Sequence, residues 1–303
     1  MQIGQDLEKV TQAAVDGYYE NDFFTGIDAT KPVDDAANAS RLRAIVQHCN
    51  IQFANQMRLY GAKYKITERP EELKSLDEDE GADTFTLDTT YEAAGDHQAL
   101  QTHAQAMAWV HNVLKRSRGR ELPGNFNPLL ISQLFWEQSE PWEELASAHI
   151  NRIAAFCERF VYRLVKVITS EDVFDKVMRY KVMPALEARF TAAHGELKKI
   201  IEDKGSHPIT YNHYYTATIQ KMRSEKQARM MKKLVKQHQS PIQGVDGRSH
   251  YELDTNSLAA SLAATSVEED MDRFSAHDAL TSQMAYYKVR HLHHMFTQSQ
   301  LTL

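Results

Sequence analysis

Fourteen histidines and two cysteines, Cys49 and Cys157, are the side chains best suited to ligating a metal or acting as nucleophiles. The densest group, His291, His293 and His294, sits in RHLHHMF near the C-terminus. Residues two apart on a helix point in different directions, and no Cys or carboxylate cluster joins these three. The spacing therefore predicts a solvated tail rather than a zinc site, and no metal ligand is assigned. Cys49 falls on an apolar helical stripe and Cys157 in a core-like helix, which predicts buried, inert thiols. The sequence has no G-x-x-x-x-G-K-[ST] phosphate loop, no G-x-G-x-x-G, no H-E-x-x-H and no G-x-S-x-G. Thr30-Lys31-Pro32 begins like a guanine-specificity T-K-x-D motif, but Val33 follows and Asp34 comes one place late. No catalytic residue and no cofactor of the chain's own are assigned.

Charge offers a stronger signal. The net charge is only −6, but it is unevenly spread. Between residues 68 and 96 there are eleven acidic and two basic side chains, a local balance of −9. Between residues 221 and 236 there are seven basic and one acidic, a balance of +6. The cations are Lys221, Arg223, Lys226, Arg229, Lys232, Lys233 and Lys236, with Met222, Met230, Met231 and Leu234 among them. Such a segment attracts an anionic lipid surface, at roughly 1 kcal/mol per Lys or Arg near the membrane. Nucleic acid is disfavoured, because no aromatic side chains are interleaved for stacking on bases. The acidic stretch, with LDEDEGAD at 76–83, reads as a solvated loop, and FTLDTTY at 85–91, with only faint alternation and no visible partner strand, is placed in it.

The elements that must carry these segments are helical. Twelve glycines and eight prolines in 303 residues are about half the usual share, which favours helices over a turn-rich β fold. Residues 5–20 read as one helix and Ser40 to Gly61 as another, with Leu42, Ile45, Cys49, Phe53 and Met57 at helical spacing. His103 to Ser117 is a shorter helix, ended by RSRGRELPGNFNP at 116–128. A long helical region runs from Leu129 to Ile168, and another from Ser170 through Ile201 with a kink or break at Pro184. Residues 207–236 form one further helix, and 239–266 read as a flexible loop or linker. The last periodic stretch, 267–289, presents Met271, Phe274, Leu280, Met284 and Tyr287 as its apolar face. Helices of 25 residues extend about 37 Å, so the expected fold is all-α, an elongated antiparallel bundle of about four helices. Two cysteines make no disulfide framework, no apolar run approaches a membrane span, and MQIGQDLEKV lacks a signal core. A cytoplasmic location is expected.

RSRGRELPG at 116–124, followed by FNPLLISQLFWEQSEPW at 126–142, resembles the stalk (middle) region of dynamin-superfamily GTPases, closest to fungal and Mx-type members. RLRAIVQHCNIQFANQMRLYG at 41–61 looks like the preceding stalk helix. HPITYNHYYTATIQKMR at 207–223 looks like the approach to the stalk's basic tip, and DMDRFSAHDALTSQMAYYKV at 270–289 like the start of the GTPase effector region. The resemblance implies residues 1–238 as stalk with the acidic loop 68–96, 239–266 as tip loop, and 267–303 as a shortened effector region with a divergent tail. It places the GTPase domain, with its GTP and Mg, outside this chain, as expected of a fragment whose last stalk helix is cut short. It further implies self-association through the loop Arg118, Gly119, Arg120, Glu121, Leu122, Pro123 and Gly124, where Arg118, Arg120 and Glu121 would pair across subunits. The basic segment would be a tip that meets membrane, making the chain a non-catalytic, peripheral membrane-remodelling module. Two alternatives stand beside this: an effector fragment that stimulates GTP hydrolysis by a separate dynamin-like chain, and a helical adaptor with no membrane role.

Overall fold

The computed structural model describes residues 2–28, 30–33, 35–67, 98–122, 124–205, 213–243, 249–266 and 270–301. The acidic segment and FTLDTTY lie outside the described residues. What is described is mostly helical. In order it comprises α1 (Gln2–Asp16), α2 (Leu42–Tyr60), β1 (Tyr64–Thr67), β2 (Ala99–Thr102), α3 (His103–Ser117), α4 (Leu129–Gln138) and α5 (Trp142–Ile168). There follow α6 (Glu171–Val177), a π turn (Met178–Val182), α7 (Met183–Lys204), α8 (His213–Gln237), β3 (Gln239–Gln243), β4 (Ser249–Leu253), α9 (Thr255–Ser266) and α10 (Met271–Leu301).

Three pairs of long helices make contacts whose order runs in opposite senses. On α2 and α5, Phe53 stacks on His149 at 4.4 Å, while Leu42 joins the cluster around Phe160. On α5 and α7, Asn151 bonds His194 at 2.9 Å and Trp142 lies under the Lys204 ammonium at 5.9 Å. On α8 and α10, Tyr215 meets Tyr286 and Arg223 meets Asp278. Three apolar clusters fill the spaces between. One joins α3, α4 and the start of α10, through Val110, Leu130, Leu134 and Ala279. A second surrounds Trp142, Phe135, Phe53 and Tyr286, and the third gathers Val10, Phe24, Phe160 and Leu164.

Several expectations are corrected by the structure. The region from 129 to 168 is two helices, because Pro141 cannot donate backward and Ser139 turns its hydroxyl onto the Phe135 carbonyl at 2.7 Å. At Pro184 the chain does not break: Pro184 lies in the first turn of α7, directly after the π turn. The Met183 N–H bonds the Met178 carbonyl, five residues back, and this wide turn absorbs the missing proline donor. Residues 239–266, read as a loop, carry the antiparallel pair β3–β4 and the helix α9. His238 anchors them: its imidazole contacts the Ser257 and Ser261 hydroxyls, and its carbonyl accepts from the Asp254 N–H.

A second correction concerns sheet structure. β1 and β2 pair in parallel, Tyr64 opposite Ala99 and Thr67 opposite Thr102. So short a pair is marginal alone. Here the Gln138 amide covers the other edge of β1, donating to the Tyr64 carbonyl at 2.8 Å and accepting from its N–H at 3.3 Å. The Tyr64 ring packs on Trp109 at 4.9 Å, and its hydroxyl donates to Glu137 at 2.7 Å. Burial and the Glu137 carboxylate push that phenol up to about 12.

Candidate assembly loop and cationic surface

The loop 118–124 leaves α3 under tight local control. Thr102 and Gln105 form a capping box at the start of α3, fixing the rotation of the helix about its axis. Its far end delivers Arg118, whose guanidinium reaches α10 and pairs with both Asp272 oxygens at 3.1 and 3.2 Å. Glu121 folds back on its own loop and accepts from the Gly119 N–H at 2.6 Å. That carboxyl is held below its ordinary range by backbone N–H groups of Glu121 and Gly119, with help from Asn127 and Arg118. Gly124 has φ +88°, a left-handed conformation that suits glycine, and an added Cβ would lie 3.4 Å from the Met271 sulfur.

Arg118 and Glu121, expected to pair across subunits, each make these contacts within the chain. Arg120 is exposed and has no ion-pair partner among the described residues, and Leu122 is 71% exposed. Pro123 lies outside the described residues. The outward-facing part of the loop is thus one cation beside one apolar side chain.

The seven cations of α8 also divide. Arg223 pairs with Asp278, and Lys226 bonds the His277 imidazole at 2.6 Å, tying α8 to α10. Lys221 is 3.8 Å from Glu225 on its own helix. Arg229 is exposed. Lys232, Lys233 and Lys236 are exposed, with no ion-pair partner among the described residues. Between α8 and α10 runs a groove of about 380 Å³, lined by Met230, Gln227 and Phe274 with the Arg223–Asp278 and Lys226–His277 pairs.

The two segments, a hundred residues apart in sequence, meet on the same element. The loop touches α10 at Met271 and Asp272, and the basic helix touches it at His277 and Asp278. Spacing had placed Met271, Phe274 and Met284 on the packed face of α10. All three are exposed, and the buried stripe is Ser275, Ala276, Ala279, Leu280, Gln283 and Tyr286. Ser275, Ala276 and Ala279 allow α3 and α4 to approach closely here, leaving Met271 and Phe274 outside while Leu280 and Tyr286 pack within. Sequence reasoning missed the groove for this reason.

Elsewhere, Cys49 is buried, as its place on the apolar stripe predicts, and Cys157 is half-buried, its thiol pushed up by burial. Among the described residues, no three His, Cys, Asp or Glu side chains converge as a metal site. The rings of His103 and His277 lie 6.1 Å apart, centroid to centroid. The side chains of His291, His293 and His294 lie outside those described. Among the described residues, no helix is long and apolar enough to cross a membrane. Compared with protein-family models, with curated proteins and with solved structures, the chain matches none.

Proposed function

We propose that this chain is a self-assembling, membrane-associated stalk module of the dynamin-like type, working at a cytoplasmic membrane surface without GTP turnover of its own. The three helix pairs whose contacts run in opposite senses support the bundle such a stalk requires. The loop 118–124 supplies the contact between copies, and α8 with the β3–β4 pair supplies the tip. The observation that carries the reading is the exposed, unneutralised run Lys232, Lys233 and Lys236 at the end of a 25-residue helix. Lys221 pairs with Glu225 on its own helix and Arg223 with Asp278 on α10, so these three remain for an external anion.

The test is sedimentation with vesicles of phosphatidylcholine and phosphatidylserine. At roughly 1 kcal/mol per lysine, changing all three to Ala lowers partition by about a hundredfold at low salt. Raising the ionic strength weakens the wild type towards the variant, since exposed charges are screened over about 8–10 Å at physiological ionic strength. Equal binding by the two proteins would refute the tip assignment. These lysines are exposed, so the variant keeps its fold, checked by circular dichroism.

A further inference from the structure

The juxtaposition of Phe274 and Met271 on α10 with Met230 on α8, all outward-facing and rimmed by cations, points to a second mode of membrane contact. We infer that this edge inserts: the three apolar side chains enter the interfacial layer of an anionic bilayer while the neighbouring lysines hold its phosphates. The inference rests on the membrane reading above and assigns it a site and a depth.

Phe274 and Met271 are each 52% exposed and Met230 is 38% exposed. Phe274 and Met230 line one groove, and Met271 stands one turn before Phe274, where it borders Gly124. Solvent-facing apolar side chains occurring singly need no explanation, but a contiguous set beside a charged rim marks an interaction surface. The composition of α10 supports this. Beside these residues its core-facing stripe is Ser275, Ala276 and Ala279 with Leu280, so Phe274 and Met271 are not surplus core residues displaced by a local defect. They occupy the opposite face throughout the first turns of the helix.

Charge selects the occupant. Arg223, Lys226, Met230 and Lys233 follow one another at helical spacing along α8, interleaving cations with an apolar side chain. Three nearby carboxylates are paired, Asp278 with Arg223, Asp272 with Arg118 and Glu225 with Lys221, while Asp270 beside Met271 accepts from the Asp272 and Arg273 N–H groups at the start of α10. The local excess is therefore positive, from Lys232, Lys233 and Lys236. A second copy meeting this edge through a twofold axis would set lysines against lysines, which is unfavourable. An anionic bilayer offers phosphates at the height of the cations and hydrocarbon beneath them. That is the arrangement used by interfacial helices with basic and apolar faces.

The experiment uses the full chain carrying Phe274→Trp, with emission taken as a difference from wild type, whose Trp109, Trp136 and Trp142 are half-buried or buried. Expected are a blue shift with phosphatidylserine-containing vesicles, none with phosphatidylcholine alone, and quenching by acyl-brominated lipid. In sedimentation, Phe274→Ser lowers partition about tenfold while Phe274→Leu stays near wild type. The salt dependence is the same in all three, because no charge changes. If wild type binds anionic vesicles but the Phe274→Trp variant shows neither shift nor quenching, the insertion is refuted and the electrostatic reading survives. If wild type does not bind them at all, both fall. A blue shift that grows with protein concentration without lipid assigns the edge to a second copy and overturns the proposal.

Discussion

Acidification should destabilise this protein through one buried histidine. His149 on α5 is 4% exposed and lies flat on Phe53 of α2, 4.4 Å between centroids and 18° between planes. Burial, with the Arg152 guanidinium one turn on, lowers its pKa from 6.5 to about 4. The sign follows from proton uptake. Above the unfolded value near 6.5 the imidazole is neutral in both states and pH has no leverage. Below it the unfolded chain takes up a proton that the folded chain refuses, so stability falls until the folded value of about 4 is reached. At about pH 5, values of 6.5 and about 4 give a loss of about 2 kcal/mol relative to neutral pH. Urea unfolding at neutral pH and at about pH 5 measures it, with His149→Phe as the reference. Phenylalanine keeps a flat ring on Phe53 and cannot titrate, while the other groups titrate alike in both proteins. The variant should lose about 2 kcal/mol less than wild type across this interval. Parallel pH dependence in the two proteins, or an imidazole resonance titrating near 6.5 in the folded state, would refute the reasoning.

Two further perturbations test the fold and the loop. Gln138→Leu strips both hydrogen bonds from the edge of β1, leaving part-buried Tyr64 backbone groups unpaired. It should cost roughly 2–4 kcal/mol in urea unfolding with little change in helical circular dichroism; a cost under half a kcal/mol would show that water replaces the amide. Arg120→Asp combined with Leu122→Ser alters the outward-facing part of the loop 118–124. It should abolish concentration-dependent light scattering by the purified chain without altering its thermal unfolding, and unchanged scattering would remove this loop from any contact between copies.

Much of the helical framework was readable from spacing. The α2 stripe Ile45, Cys49, Phe53 and Met57 is buried as its period predicts, and α3 ends at Ser117 where the breakers begin. These readings held because large apolar side chains at intervals of three and four have one low-energy disposition against a core. The same rule held on α10 for Leu280 and Tyr287 but failed for Met271, Phe274 and Met284, where Ser275, Ala276 and Ala279 take the inside. It also failed for β1–β2, whose four-residue strands lie far apart in sequence and depend on an amide from α4. The region 239–266 was misread because small polar residues satisfy turns, a short strand pair and a capped helix equally well.

What the amino-acid order determined by itself is a largely helical chain with seven of its 35 cations gathered between residues 221 and 236, because helical periodicity and charge are local properties. Only tertiary packing decided which of those cations are already spent. Arg118 meets Asp272, Arg223 meets Asp278 and Lys226 meets His277 across separations of 51 to 154 residues. Ion pairs and exposed apolar edges depend on which helix lies beside which, and that follows from how closely the small residues of α10 let its neighbours approach.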